Sequence, residues 1–133
     1  LCANAGARLH LIHPLGFQLE DKQLRRAGLD YQELTVIHEH QSLQEFQART
    51  APKRLFALST HGWRRYDEVN YQEGDALMFG QETAGLPESL RAELGPDLLR
   101  IPMQAGARSL NLGNAVAIVL YEACRQLNFN GLI

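Results

Sequence analysis

With 133 residues and 45% hydrophobic composition, the chain has the size and apolar content of one domain around a continuous core. A formal net charge of −2 and a pI near 6.2 exclude a globally basic nucleic-acid binder, so any polyanion must be met by local patches. The two cysteines, Cys2 and Cys124, lie far apart among apolar neighbours and indicate neither a disulfide framework nor a metal site. That cysteine usage makes a reducing cytoplasm the expected compartment; the longest apolar run, Ala115 to Tyr121, is much shorter than the roughly 20 residues of a membrane span, and no signal peptide is read before it.

The chain opens on LCANAGARLHLIHP, which reads as the end of a helix stopped at Gly6 and then a strand from Leu9 to His13, with further sequence expected upstream. Asp21 offers an N-cap to a short helix through Arg26, and Leu34 to Ile37 is a second, β-branched strand. Ser42 caps a helix to about Thr50, closed by Pro52, and Leu55 to Ser59 is a third strand. A loop from Thr60 to Gly74 leads to a fourth strand, Ala76 to Phe79. Pro87 suits the first turn of a helix reaching Leu94, Leu99 to Met103 is a fifth strand, and a long helix runs from about Asn111 to Leu127. Strands alternating with helices define an α/β fold with a mainly parallel sheet covered on both faces.

Two segments stand out, LMFGQETAGLP from Leu77 to Pro87 and RIPMQAGARSLNLGNAVAIVLYE from Arg100 to Glu122. Each passes from an apolar run through small and polar residues into a helix, the way an α/β protein builds a ligand site at the carboxyl ends of its strands. Gly80, lacking a Cβ, allows a ligand to lie against the backbone, with Glu82 and Gly85 completing the loop. Ser109 and Asn111 stand at the start of the last helix, where free N–H groups and a hydroxyl can bind polar edges of a ligand. On the residues alone, simple capping by Ser109 or Asn111 is the stronger reading. The pairs His10 and His13, and His38 and His40, have no third ligand at a telling spacing, so no metal is expected.

Together the two segments resemble the last two motifs of the SpoU branch of the SPOUT RNA 2'-O-methyltransferases. Over nearly the whole chain the match narrows to the small tRNA (cytidine/uridine) 2'-O-methyltransferases that act on the wobble nucleotide. The resemblance implies a single SPOUT domain over residues 1–133 with a C-terminal deep trefoil knot, and S-adenosylmethionine as cofactor. It implies a cofactor pocket formed by Leu58, Gly80, Ile101 and Ser109, supported by Glu82, Met103, Leu110 and Asn111. It also implies tRNA as partner and a homodimer through the last helix, which is apolar around almost its whole circumference. Within DKQLRRAGLDY, Lys22, Arg25 and Arg26 become candidate phosphate contacts, although such a string is most often a solvated cationic face. Arg64 and Arg65, beside Trp63 and Tyr66, read equally as charge combined with base stacking or as a plain exposed loop.

The reaction so implied is attack of a ribose 2'-hydroxyl on the cofactor's methyl carbon. The family's catalytic arginine lies in an NxGNxxR-type segment expected before Leu1, and none of Arg8, Arg25 or Arg108 matches it. The first strand of the fold is expected in the same upstream segment. A methyltransferase acting on another RNA such as rRNA, and a non-catalytic RNA- or cofactor-binding module, stay open as alternatives.

Overall fold

A computed structural model describes residues 1–14 and 37–133. The expected helix at Asp21–Arg26, with Lys22, Arg25 and Arg26, lies outside the described residues, as do positions 34–36 of the second expected strand. The chain forms two compact units, Leu1–Ala51 with Leu132 and Pro52–Gly131 with Ile133.

In the first unit α1 (Cys2–Ala5) stops at Gly6, and β1 (Leu9–Ile12) pairs in parallel with β2 (Ile37–His40). The strand expected at Leu34 to Ile37 is thus described only from Ile37, and it continues through His38, Glu39 and His40. Its polar composition hid it, because pairing and stacking, not an apolar run, hold it in place. Helix α2 (Leu43–Thr50) starts where the Ser42 hydroxyl accepts the Glu45 N–H at 3.1 Å, while the Glu45 carboxylate accepts the Gln41 N–H at 2.7 Å. This reciprocal bonding at the helix start resembles a capping box and satisfies two otherwise free donors. Ala51, in the left-handed region at φ 47°, ends the helix before Pro52.

Register places His10 opposite His38, and alternation brings His40 to the same face. The His10 ring stacks on His38 at 4.8 Å and on His40 at 5.2 Å, and Phe46 of α2 meets both His10 and His40 edge-on. His10 Nδ1 and His40 Nε2 lie 2.9 Å apart, so one ring donates and the other accepts. His40 is 2% exposed, and its Nδ1 has no partner among the described residues. Burial first, and then the charges of His38, His40, Arg8 and Arg49, lower the His10 pKa from its ordinary value of 6.5. A depressed folded-state pKa gives stability that is present above the unfolded value and lost as pH falls through the folded one. The urea midpoint of this unit is therefore expected to fall as pH drops from 7 towards 5, and His10→Gln to flatten the profile. An acid-insensitive wild-type midpoint would contradict this account.

The second unit is built on a sheet with strand order β4-β6-β3-β5 among the described residues, every neighbouring pair parallel. Its strands are β3 (Arg54–Leu58), β4 (Arg64–Arg65), β5 (Asp75–Phe79) and β6 (Leu98–Arg100). At the start of β3 and β5, Arg54 donates to both carboxylate oxygens of Asp75 at 2.9 and 2.6 Å and lies over the Phe56 ring. This fork fixes the register of the β3–β5 pair, which explains why β3 begins at Arg54 and not at the first apolar residue. Strand β4 and the 3-10 turn Tyr66–Glu68 fall inside the expected loop 60–74.

Strand β6 spans Leu98–Arg100, not the expected Leu99 to Met103. Pro102 has no N–H to give a ladder, and the freed residues Ile101 and Met103 line a cavity instead. Helix α3 (Glu88–Leu94) follows Pro87, and α4 (Leu112–Gln126) closes the described elements. The core of this unit gathers Phe56, Leu58, Val69, Tyr71, Leu99 and Val119. Gln126 pins α4 to the segment before β5, accepting the Tyr71 N–H at 2.8 Å and donating to the Val69 carbonyl at 2.9 Å. The described helices include none long and apolar enough to cross a membrane.

Candidate functional site

A cavity of about 460 Å³ opens at the carboxyl ends of β3, β5 and β6. Ligands of open parallel sheets bind at this end because strands finish there and connecting loops bring side chains together. Leu58 and Phe79 are the last residues of β3 and β5, and Ile101 follows β6. All three line the cavity, with Met103, Leu110 and Leu112 extending its apolar wall. Ser59, Thr60, Ser109 and Glu82 supply polar groups.

The loop after β5 is drawn tight by its own backbone. The Gly85 N–H donates to the Gln81 carbonyl at 2.8 Å, and Gly85 takes φ 66°. A Cβ on Gly80 would stand 2.3 Å from the Gly85 carbonyl carbon and 2.5 Å from the Leu86 nitrogen. The missing Cβ therefore lets the Gly85–Leu86 backbone close over Gly80, while Gly80 itself still lines the cavity.

Of the residues singled out from sequence, Leu58, Gly80, Glu82, Ile101, Met103, Ser109 and Leu110 converge on this one cavity. Asn111 does not line it: its Oδ1 accepts the Asn114 N–H at 3.2 Å and caps α4. Asn111 thus caps the helix, and Ser109 is exposed at the cavity. Arg65 is bonded to both Asp67 oxygens at 3.0 and 2.8 Å, an exposed pairing within the same loop that offsets part of the charge expected of it there.

Arg91 and Arg108 also line the cavity and were not foreseen there. The Arg91 Nε is buried without a hydrogen-bond partner among the described residues. Its place four residues after Pro87, one turn into a helix whose start abuts a glycine loop, was the available signal. The described residues hold no group of three or more His, Cys, Asp or Glu side chains fit for a metal ion.

A parallel sheet with a mixed apolar and polar cavity at its strand ends, closed by two glycine-bearing loops, defines an α/β protein with a site for a small organic ligand. The family model of the SpoU rRNA Methylase family matches residues 1–121, and the chain belongs to that family. It is 51% identical, over all of its own length and 87% of the relative's, to a tRNA (cytidine(34)-2'-O)-methyltransferase of Methylovorus glucosotrophus. A solved structure described as giving insight into the 2-OH methylation of C/U34 on tRNA matches with a TM-score of 0.83 and 44% identity. That match covers 96% of this chain and 78% of the other. An AdoMet-bound rRNA methyltransferase from Sinorhizobium meliloti matches at 29% identity with a TM-score of 0.76, over 95% of this chain and 49% of its own.

Proposed function

We propose that the chain is an S-adenosylmethionine-dependent 2'-O-methyltransferase of the tRNA wobble nucleotide, cytidine or modified uridine at position 34. The observation that carries this reading is the meeting of Leu58, Gly80, Ile101 and Ser109 in one cavity of a family member. The cavity suits the cofactor in size, since pockets for such ligands run from roughly 300 to 1,000 Å³. Its donor set suits it too. Leu58, Ile101, Met103 and Leu110 offer apolar surface to a purine ring, while Ser109 and the loop backbone offer hydrogen bonds to its edges or to a carboxylate.

When bound, the cofactor supplies a methyl group already activated by the adjoining sulfonium charge. The protein's own part is to exclude water with the apolar wall and to hold the bound group in line with a ribose 2'-hydroxyl. Arg91 and Arg108 give the cavity positive charge, and neither is assigned the task of accepting the hydroxyl proton.

The same reading takes residues 1–133 as one methyltransferase domain with a C-terminal trefoil knot, and Lys22, Arg25 and Arg26 as phosphate contacts. It also takes the chain as a cytoplasmic homodimer through α4. The helix supports the last point: Val119 is buried, whereas Ile118 and Tyr121 on the same helix are exposed.

Nucleoside mass spectrometry of unmodified tRNA incubated with S-adenosylmethionine and the protein extended by an NxGNxxR-type segment, with the 133-residue chain in parallel, tests the proposal. A 2'-O-methyl mark at the wobble nucleotide is expected. Modification of rRNA alone would move the substrate, and cofactor binding without any mark would make the chain a binding module. Within the site, Ser109→Ala is expected to weaken S-adenosylhomocysteine binding about tenfold, the effect of losing one good hydrogen bond. Asn111→Ala instead is expected to cost about 1 kcal/mol of stability through its lost cap. Isothermal titration calorimetry and thermal melts separate the two effects, and equal cofactor affinities in both variants would remove Ser109 from the site.

A further inference from the structure

Trp63 is the chain's one tryptophan and is 75% exposed. No ring or cation contact engages it among the described residues. So large an aromatic ring left in water offers a flat apolar face to a partner.

The backbone beneath the ring is firmly held. The Trp63 N–H donates to the Leu98 carbonyl at 2.8 Å, the Ser59 N–H to the Leu99 carbonyl at 2.9 Å, and the Gly62 N–H to the Ser59 carbonyl at 3.1 Å. The His61 N–H adds a bond to the Ser59 hydroxyl at 3.1 Å. Gly62 touches β6 so closely that a Cβ there would lie 2.1 Å from the Leu99 carbonyl carbon. The ring is thus displayed on a pinned loop.

That loop also forms the cavity wall. Ser59, Thr60 and His61 line the cavity, so Trp63 stands two residues from its rim, within about 7 Å of chain. Its chain neighbours Thr60, His61 and Arg65 are polar and exposed, so the ring is set among polar groups along the loop. A protein partner would call for a contiguous apolar face, whereas a single flat ring among polar groups matches the π-face of an unpaired base.

We propose that Trp63 is a stacking platform for a nucleobase of the RNA substrate next to the nucleotide that enters the cavity. The inference rests on the RNA-methylating reading above and adds a residue that recognises a base without reading its sequence, since every base has a π-face.

Because Trp63 is the only tryptophan, its fluorescence reports on this position alone. The full chain is titrated with unmodified tRNA and, separately, with a short single-stranded oligoribonucleotide. Saturable quenching by both is expected. Trp63→Ala is expected to weaken RNA binding about tenfold, and Trp63→Phe to restore most of it, with S-adenosylhomocysteine affinity unchanged in both. Saturating tRNA binding without a change in emission overturns the proposal, as does a Trp63→Ala variant that binds RNA like the wild type. Emission that shifts with protein concentration in the absence of RNA also overturns it, in favour of a second copy of the chain as the partner. Quenching by the oligoribonucleotide together with no methylation of tRNA sinks the functional reading and leaves the stacking platform standing. Methylation of tRNA with no quenching does the reverse.

Discussion

Gly80→Ala is expected to lower S-adenosylhomocysteine affinity about a hundredfold or more while leaving a folded chain. The added Cβ would sit 2.3 Å from the Gly85 carbonyl carbon, 2.5 Å from the Leu86 nitrogen and 2.7 Å from the Gly85 oxygen. Backbone, unlike the tip of a side chain, cannot step aside cheaply, so the Gln81–Gly85 turn must swing away from β5. Glu82 to Leu86 are cavity wall, and Pro87 leads directly into α3, which carries Arg91 to the same cavity. One methyl group therefore displaces a whole side of the site. The core residues Phe56, Leu99 and Val119 do not line the cavity, so the melting temperature is expected to fall by only a few degrees. Gly85→Ala serves as the contrast: nothing lies within 4 Å of its added Cβ, and only the strain of φ +66° opposes it, about 1–2 kcal/mol. Calorimetric titration of both variants, with circular dichroism to confirm folding, checks the order. Wild-type affinity in Gly80→Ala would mean that the turn yields without disturbing the site.

Much of this arrangement could be read from the chain because glycine and proline mark where backbones meet or ladders stop. The β5 loop was legible from Gly80, Gly85 and Pro87, and the start of α4 from Ser109 and Asn111. What sequence could not supply was the partner of each residue. The close approach of the Gly85 backbone to Gly80 and the bond from the Asn114 N–H to Asn111, which bears out the capping favoured on the residues alone, are visible only in the fold.

Electrostatic pairing was harder still to foresee. Arg65 looks like a phosphate contact in one dimension, yet Asp67 lies two residues on and takes both ends of the guanidinium. Strand β2 escaped recognition at His38, Glu39 and His40 because strands are ordinarily recognised by apolar alternation. Here the buried face is a stack of imidazoles against Phe46, which satisfies the packing requirement with residues that composition counts as polar. The expected end of β6 at Met103 failed for the opposite reason, since Ile101 and Met103 are apolar but face the cavity and not the ladder.

The other wall of the cavity depends on a second close approach, and Gly62→Ala is expected to damage the fold more than the Gly80 change does. Its Cβ would meet the Leu99 carbonyl carbon at 2.1 Å, the Leu99 oxygen at 2.2 Å and the Arg100 nitrogen at 2.5 Å. Those atoms belong to β6, whose Leu98 and Leu99 are 1% and 0% exposed. Relief must come from moving the loop off β6, which breaks the Trp63 N–H bond to Leu98 and the β4 pairing of Arg64 with Leu99. Two or three ladder bonds at about 1 kcal/mol each, with the overpacking, amount to about 3 kcal/mol or more. For a chain of this size that is a fall in melting temperature of about 10 °C. The emission of Trp63 supplies an independent readout, because a loop lifted from β6 changes the surroundings of the ring before global unfolding. A Gly62→Ala variant that melts with the wild type and keeps its emission would show that β4 and the loop before it can part from β6 at no cost. The cavity wall from Ser59 to His61 would then owe its position to something other than this contact.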